Sequence, residues 1–264
     1  MPPTSFTGLH CAVVGATGLI GSRIASAFAS HGAAVTLLGR SALEARSRLE
    51  PNLPPPGPHR FIRLNVAEPD DIKAVFGPPV STGDSNVVGP LDILVNCAGI
   101  SQTTLLKRTP DDELARILDT NLLATVLVCK HARIRPNGMP DAIYVAPSLT
   151  RQGCIVNVSS LMANKGGYGA TAYAASKAGL IAFTRALCFE MAARSIRVNA
   201  LLPGWVDSPM WHQLKPQLKE AYLNEIPLKR VADPEEVADA AVFLASNRFA
   251  NNCVLNLDGG MSAA

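Results

Sequence analysis

Seven short runs rich in Val, Ile and Leu recur along the chain, and segments whose apolar residues repeat with helical spacing lie between them. Runs of this length and composition are typical of β-strands that are buried on both faces. Alternating strands and helices indicate parallel strands joined by right-handed crossovers. The predicted strands cover residues 9–14, 33–38, 60–65, 91–96, 154–159, 196–201 and 253–257. The clearest predicted helices cover residues 22–30, 110–130, 174–193 and 234–245.

Composition and loop positions favour one domain. The chain has 264 residues, of which 48% are hydrophobic and 17% charged, so it can bury a substantial core. Length alone permits one large domain or two small ones. Three proline- or glycine-rich segments, at 51–58, 77–90 and 135–153, are typical of surface loops inserted between elements. None has the size of a second domain, so we predict a single α/β domain over residues 1–264.

Charge, cysteine usage and hydropathy argue against several classes of protein. The net charge is +3 without a basic block, which argues against a nucleic-acid partner. The six cysteines are widely spaced, and the absence of CxxC pairs and His-rich clusters argues against a metal site. No run reaches the roughly 18 apolar residues of a membrane span. We therefore expect an intracellular, cytoplasmic protein, with the mitochondrial matrix as an alternative despite the lack of an evident leader.

The first predicted strand runs into a glycine-rich turn, GATGLIG, with glycines at Gly15, Gly18 and Gly21. Small residues there let backbone amides approach a pyrophosphate, whose charge the following helix N-terminus offsets. An isolated match of this kind also fits a plain tight turn, but its position between strand and helix favours a dinucleotide site. After the second strand the chain reads Gly-Arg40-Ser41, with no carboxylate for a ribose hydroxyl. Arg40 therefore favours the 2'-phosphate of NADPH over NADH, the alternative being a solvated arginine.

Four polar side chains form a candidate catalytic set. Tyr173 and Lys177 lie four residues apart in a helical pattern, so they share a helix face. A nearby ammonium lowers the pKa of a phenol, which suits acid–base chemistry, although this spacing alone is typical of a surface pair. Ser160 ends the fifth strand, where its hydroxyl can polarise a substrate carbonyl. Asn121 lies inside a predicted helix, and its alternative roles are a helix-surface amide or a satisfied core amide.

These residues occur together with NCAG at 96–99 and PGWVDSPM at 203–210. In this order and spacing, the set resembles the classical short-chain dehydrogenases/reductases over nearly the whole chain. The resemblance implies a Rossmann-type, doubly wound, seven-stranded parallel sheet and an NADPH-dependent oxidoreductase. It implies that Tyr173 protonates the carbonyl oxygen, that Lys177 lowers the pKa of Tyr173 and holds the nicotinamide ribose, and that Ser160 hydrogen-bonds the substrate oxygen. Asn121 is implied to anchor a proton-relay water.

The resemblance also implies a set of cofactor contacts, with a few departures from the usual pattern. Val14 and Leu19 stand where the family usually has threonine and glycine, while Asn65 and Cys97 stand where aspartate and asparagine are common. The implied cofactor contacts are Gly15, Thr17, Gly18, Leu19, Ile20, Gly21, Arg40, Ser41, Asn65, Val66, Asn96, Ala98, Gly99, Tyr173, Lys177, Pro203, Gly204, Val206 and Ser208.

Further runs, including GCIVNVSS, YAASKAGLIAFTRAL and NLDGGM, are similar to 3-oxoacyl-acyl-carrier-protein reductases and related carbonyl reductases. This similarity implies reduction of a 3-oxoacyl thioester in fatty acid biosynthesis. It also implies that acidic acyl carrier protein docks at Arg151 and Arg194, although other reductases carry basic residues near the second position. Family members usually form tetramers, so a homotetramer, or alternatively a dimer, is implied.

A predicted lid covers residues 205–226 and holds Trp205, Met210, Trp211 and His212. Its apolar character favours a hydrophobic acyl or aryl substrate. Each of these residues also fits a plain packed helix pair, and His212 also fits a solvated side chain. Two other functions stay open at this point. One is a broad carbonyl or secondary-alcohol reductase, including one of secondary metabolism, and the other is a non-catalytic cofactor-binding scaffold, against which the complete set of Ser160, Tyr173 and Lys177 argues.

Overall fold

The computed structural model describes residues 5–55, 57–79, 85–136 and 153–263. Its seven strands are all parallel and form one sheet in the order β3-β2-β1-β4-β5-β6-β7. The predicted Rossmann-type α/β fold is confirmed. The strands are β1 (His10–Val14), β2 (Ala34–Gly39), β3 (Arg60–Arg63), β4 (Ile93–Asn96), β5 (Cys154–Val158), β6 (Arg197–Pro203) and β7 (Val254–Leu257).

Helices cover both faces of this sheet, which is why the strands lack a polar face. Val13 and Val14 are adjacent in β1 and point to opposite faces, yet both are buried. Val13 packs in a core with Phe28 and the last long helix, while Val14 packs in a second core with Val128. The helices are α1 (Leu19–Ser30), α2 (Arg46–Leu49), α3 (Pro69–Phe76), α4 (Asp111–Leu118), α5 (Ala124–His131), α6 (Met162–Lys165), α7 (Thr171–Ala192), α8 (Pro209–His212), α9 (Pro216–Glu225) and α10 (Pro234–Ser246).

The helix predicted over residues 110–130 is interrupted. α4 and α5 are separated by a π-helical turn, Asp119–Leu123, and Asn121 at its centre is fully buried. A π turn inserts an extra residue into the helical ladder and re-aims the side chains around it, and such turns are frequent at functional sites. The interruption therefore turns Asn121 inward, which apolar periodicity does not reveal.

The predicted inserted loops fall partly outside the described residues, which exclude 56, 80–84 and 137–152. The first loop begins with a 3₁₀ turn, Glu50–Asn52. The boundaries of a single domain over 1–264 therefore stay a prediction. Among the residues that the structure describes, no helix combines the length and hydropathy needed to cross a membrane.

The strand order places the predicted functional residues at one edge. The chain starts at β1 in the middle of the sheet, winds outward to β3 and then continues from β4 in the other direction. At the end of β1, Val14 pairs with Leu38 of β2 and with Asn96 of β4. The segments that follow these strands therefore diverge at a topological switch point, where open α/β sheets bind their ligands.

Candidate active site

The glycine-rich turn after β1 is packed against the chain that follows β4. Gly15 has a φ of +84°, and a Cβ there would lie 2.6 Å from the backbone nitrogen of Ala98. A Cβ on Gly21 would collide with the Gly15 carbonyl oxygen. Gly18 is the N-cap of α1, which starts at Leu19 and Ile20 with no side-chain cap on its amides. The first turn of α1 is therefore open to an anion, as a pyrophosphate requires.

The end of β2 lies against the same turn. A Cβ on Gly39 would lie 2.9 Å from Thr17 Oγ1, so Arg40 and Ser41 follow directly beside the glycine-rich segment, and both are exposed. Arg48 of α2 donates a hydrogen bond from Nη2 to the Thr17 carbonyl oxygen at 3.3 Å. Two guanidinium groups thus flank the position predicted for the 2'-phosphate. Sequence reasoning missed Arg48, because no motif connects a residue of α2 with the turn after β1.

Asn96 is the last residue of β4 and is buried at the carboxyl edge of the sheet. Its Nδ2 donates to Asn157 Oδ1 of β5 at 2.9 Å, whereas its Oδ1 is buried without a hydrogen-bond partner in the described part of the chain. Asn96 lines a shallow depression together with Val14, Val66 and Ala98. The Asn96 side chain is therefore only partly satisfied by the residues that the structure describes.

Asn65 follows β3 at the same edge, and its contacts are local. Its backbone N–H donates to Asp71 Oδ2 at 2.6 Å, and its side-chain Oδ1 accepts from Ala67 N at 3.3 Å. The side chain therefore shapes its own turn. The predicted contact between Asn65 and the adenine stays a prediction.

Tyr173 and Ser160 meet where β5 and α7 approach each other. Tyr173 is the third residue of α7, and its side chain is hydrogen-bonded to that of Ser160, which follows β5. Burial raises the pKa of Tyr173 above its ordinary value of 10, while the hydrogen bond from Ser160 works in the opposite direction. The net shift comes from burial, and the expectation that Lys177 lowers the pKa of this phenol stays a prediction.

Lys177 lies between the end of β5 and the Tyr173 ring. Its Nζ donates to the Val158 carbonyl oxygen at 3.0 Å and lies 5.8 Å from the centre of the Tyr173 ring. Lys177 is itself buried, and desolvation lowers its pKa from 10.5 to about 8. Cys97 lies close enough to oppose this shift slightly.

Asn121 lies in the π turn before α5 and borders the site next to Gly99 and Lys177. Its Oδ1 accepts from Ile100 N at 2.8 Å, and its Nδ2 donates to Ile100 O at 2.9 Å and to Ser176 Oγ at 3.1 Å. A Cβ on Gly99 would lie 3.2 Å from Asn121 Oδ1 and 3.3 Å from Lys177 Nζ. The structure therefore brings Gly99, Asn121 and Lys177 together, while the water relay at Asn121 stays a prediction.

Comparison with known proteins decides the family. The family model described as enoyl-(acyl carrier protein) reductase matches residues 15–262. This chain belongs to the short-chain dehydrogenase/reductase family. It is 38% identical over 253 residues to the 3-oxoacyl-[acyl-carrier-protein] reductase FabG of Chlamydia muridarum, which covers 95% of this chain and 96% of that protein. It is 35% identical over 251 residues to the 3-oxoacyl-[acyl-carrier-protein] reductase of Rattus norvegicus, with 95% and 97% covered.

A solved structure gives the same family assignment. A candidate 2-deoxy-d-gluconate 3-dehydrogenase from Agrobacterium tumefaciens, with bound NADP, superposes with a TM-score of 0.81. The two proteins are 28% identical, and the superposition covers 100% of each chain. The chain is accordingly an oxidoreductase of the short-chain dehydrogenase/reductase family.

In this family member, the segment after β6 is held by its neighbours. Val206 is buried and pairs with Ala232 in an isolated parallel bridge. Ser208 is the N-cap of α8, and its Oγ accepts from Trp211 N at 3.3 Å. The residues that link β6 to this segment, Pro203 and Gly204, hydrogen-bond through their backbones to Leu161 and Leu257. Ser208 thus has a structural role besides its predicted cofactor contact.

The predicted lid residues separate into a packed group and an exposed group. Trp205 has its ring centre 5.6 Å from that of Trp211. Met210 is 53% exposed, and His212 is exposed with Nε2 3.0 Å from Asp207 Oδ1. The packed side chains of this region are Leu161, Trp205, Tyr222, Ile226 and Met261. The packed group reaches Leu161, the residue after Ser160, so the segment borders the site; its motion as a lid stays a prediction.

Of the two predicted carrier-docking residues, the structure describes only Arg194. Arg194 is exposed in the turn after α7, where its Nη2 donates to the Ile134 carbonyl oxygen at 3.2 Å. Arg151 lies outside the described residues. In the segments that the structure describes, no group of three His, Cys, Asp or Glu side chains has metal-binding geometry.

Proposed function

We propose that this oxidoreductase is an NADPH-dependent ketone reductase whose substrate is a 3-oxoacyl thioester. The observation that carries the proposal is the meeting of Ser160, Tyr173 and Lys177 at the carboxyl edge of the sheet. The names of the relatives at 38% and 35% identity support the substrate class. A scaffold that only binds a cofactor has no need of a buried lysine beside a phenol that is hydrogen-bonded to serine.

The residues present fit NADPH. Gly15 and Gly21 let the turn pack closely against Ala98 and against itself, and Gly18 precedes the uncapped start of α1, whose free amides suit a pyrophosphate. Arg40 and Arg48 offer two guanidinium groups for a 2'-phosphate, and a charge-assisted pair of this kind discriminates NADPH from NADH. NADP in the Agrobacterium tumefaciens structure supports the same choice. When bound, NADPH supplies the hydride that adds to the carbonyl carbon.

The protein supplies the proton and the orientation. The Ser160 hydroxyl donates a hydrogen bond to the substrate carbonyl oxygen, and the Tyr173 phenol gives that oxygen its proton, so that the ketone becomes a secondary alcohol. A pKa above the ordinary value keeps Tyr173 protonated until it is needed as an acid. The Lys177 ammonium, 5.8 Å from the ring centre, stabilises the phenolate that remains until a proton from solvent restores it.

Substitution of Tyr173 tests this chemistry. Tyr173→Phe is expected to bind NADPH with nearly unchanged affinity, because the ring and the helix are kept, yet to lose nearly all ketone reduction. Tyr168→Phe is the matched control, since Tyr168 is 91% exposed. The measurements are NADPH oxidation at 340 nm and a fluorescence titration of NADPH binding. Undiminished reduction by Tyr173→Phe would show that another group is the acid.

A substrate panel separates the proposed function from its alternative. The aromatic rings of Trp205, Trp211 and Tyr222 also suit small hydrophobic ketones, which favours a broad carbonyl or secondary-alcohol reductase as the second candidate. We expect 3-oxoacyl thioesters to give the higher kcat/KM when they are compared with simple ketones under the same conditions. The reverse order would favour the second candidate.

The partners of the enzyme form a further part of the proposal. We propose that the acyl group arrives on an acyl carrier protein and that the enzyme is a homotetramer. Phe189 of α7 is 78% exposed, and Leu118 and Leu123 beside α4 are 41% and 45% exposed, which supports an interface between copies. Arg194 lies just beyond the end of α7 and 21 residues after Tyr173, about 30 Å at 1.5 Å per residue, so it does not contact the Tyr173 of its own chain. A cytoplasmic location stays a prediction.

A further inference from the structure

The helix that carries Tyr173 begins without a cap of its own. Its N-cap is Ala170, whose side chain has no acceptor for the free amides of the first turn. The residues before it are rich in glycine, and Gly166 and Gly169 have φ values of +71° and +73°. Because glycine restricts the backbone least, the preceding loop alone cannot hold the first turn of α7 in one place. Another part of the molecule must fix Tyr173.

Gln102, from the segment after β4, supplies the missing cap. Its Oε1 accepts a hydrogen bond from Ala172 N at 2.8 Å and a longer one from Tyr173 N at 3.4 Å. Backbone N–H groups only donate, so the atom that faces them must be the amide oxygen. The side chain is 7% exposed, and its contacts are therefore shielded from water.

The amide nitrogen of Gln102 is also engaged. It donates to the Thr104 carbonyl oxygen at 2.9 Å, to Thr109 Oγ1 at 3.2 Å and to Thr171 Oγ1 at 3.4 Å. The first two partners belong to the segment between β4 and α4, and the third is the first residue of α7. Gln102 therefore connects the segment after Gly99 with the start of the tyrosine helix.

The other side of the Tyr173 residue is held independently. Ser176 Oγ donates to the Tyr173 carbonyl oxygen at 2.7 Å, and Asn121 Nδ2 donates to Ser176 Oγ at 3.1 Å. Asn121 also binds both backbone groups of Ile100, two residues before Gln102. The backbone N–H and C=O of Tyr173 are thus both tied to the segment that begins at Ile100.

We propose that Gln102 is a positioning residue for the reduction: it caps α7 at Ala172 and Tyr173 and so holds the phenol against Ser160. The proposal rests on the proposed role of Tyr173 as the acid. Loss of the cap lets the first turn move, and displacement of a reacting group by about 1 Å costs on the order of a hundredfold in rate. Cofactor binding depends mainly on the opposite side of the site, around Gly15 and Arg40, and is expected to change little.

Two substitutions of similar size separate the cap from simple packing. Both substitutions remove the donor that Nε2 offers to the Thr104 carbonyl oxygen. Gln102→Met also removes the acceptor, whereas Gln102→Glu keeps an acceptor for Ala172 N and Tyr173 N and places a negative charge at a helix N-terminus, where it is favourable. In single-turnover measurements at 340 nm, we expect hydride transfer to fall at least about tenfold in Gln102→Met and to stay within about threefold of wild type in Gln102→Glu. The NADPH dissociation constant is expected to change less than about twofold in both.

The pH profile is a second readout that a general loss of stability does not move. In Gln102→Met, the basic limb of kcat/KM is expected to shift to higher pH, because a looser contact with Ser160 removes a hydrogen bond that lowers the pKa of Tyr173. Thr36→Val is the control: it removes a partly buried hydrogen bond to His10, 2.8 Å long, in the other half of the sheet. It is expected to lower the melting temperature and leave the rate and profile unchanged.

The outcomes are distinguishable. Wild-type hydride transfer and an unshifted profile in Gln102→Met would overturn the role of Gln102, as would equal losses in the Met and Glu variants at equal melting temperature. If Gln102→Met does not fold, a tenfold loss in a stable Gln102→Glu would overturn the proposal just as well. Failure of the proposed function looks different: Tyr173→Phe would then be as active as wild type, or wild type would reduce no ketone.

Discussion

Replacement of Lys177 by methionine is expected to stabilise the folded protein near neutral pH. Lys177 is 4% exposed, and burial lowers its pKa from 10.5 to about 8. One pKa unit corresponds to about 1.4 kcal/mol, so keeping this ammonium protonated in the folded state costs about 3 kcal/mol at pH 7. Methionine has a similar length without the charge and fits the same space.

The stabilisation has an offsetting cost. Lys177→Met removes the hydrogen bond from Nζ to the Val158 carbonyl oxygen, which is worth about 1 kcal/mol. The net gain at pH 7 is therefore about 2 kcal/mol in the free energy of unfolding. The same variant is expected to lose most of its activity, because the ammonium beside Tyr173 is absent.

The difference in stability between wild type and Lys177→Met depends on pH. Between pH 8 and pH 10.5 the unfolded chain keeps a proton on Lys177 that the folded chain has released, so the stability of wild type rises with pH relative to Lys177→Met. Below pH 8 the full penalty of about 3 kcal/mol is present, and above pH 10.5 it is gone. The two stability curves are therefore expected to cross before pH 10.5.

Urea denaturation of both proteins at several pH values from 7 to 10.5 measures this directly. A reductant is needed throughout, since all six cysteines are free. Subtracting the free energy of unfolding of wild type from that of the variant cancels the titration of other groups. Lys130→Met, at an exposed site on α5, is the control, and its difference from wild type is expected to be the same at every pH. A destabilised Lys177→Met at pH 7, or a difference that does not vary with pH, would refute the role of burial.

Two further predictions concern ligands. Arg40→Ala is expected to weaken NADPH binding about tenfold or more while leaving NADH binding unchanged, because only NADPH carries the 2'-phosphate; equal affinities of wild type for both cofactors in a fluorescence titration would contradict it. Arg194→Glu, alone and combined with Arg151→Glu, is expected to lower kcat/KM for an acyl-carrier-protein substrate more than for a small thioester mimic. Arg185→Glu, at another exposed position on α7, is the control, and equal losses on both substrates would argue against docking.

The sequence predicted the sheet well, with differences at strand ends. The fourth strand was expected to begin at Leu91 but begins at Ile93, because Leu91 instead forms an isolated bridge with Ile134. The sixth strand was expected to end at Leu201 but continues to Pro203. A terminal residue belongs to a strand only if a neighbour offers it a partner, and the neighbour lies far away in the chain.

The candidate catalytic residues lie close together, whereas the sequence predicted their environment only in part. Ser160 and Tyr173 lie together as their motif spacing implied. The raised pKa of Tyr173 and the lowered pKa of Lys177 were not foreseen, because both depend on how much water the surrounding elements exclude. Sequence spacing records which residues share a helix face, but it does not record how deeply that face is buried.

The seven apolar runs and the order of the motifs were enough to predict parallel strands and the gathering of the residues that follow them at one edge. Periodicity and motif order are local properties, and a parallel α/β sheet converts them into a site because all strand carboxyl ends meet there. Three other features became visible only in the folded chain: a π turn aims Asn121 inward, Arg48 reaches the glycine-rich turn, and Gln102 caps the tyrosine helix. These contacts join residues that are 21 to 70 positions apart, and no periodic pattern links such pairs.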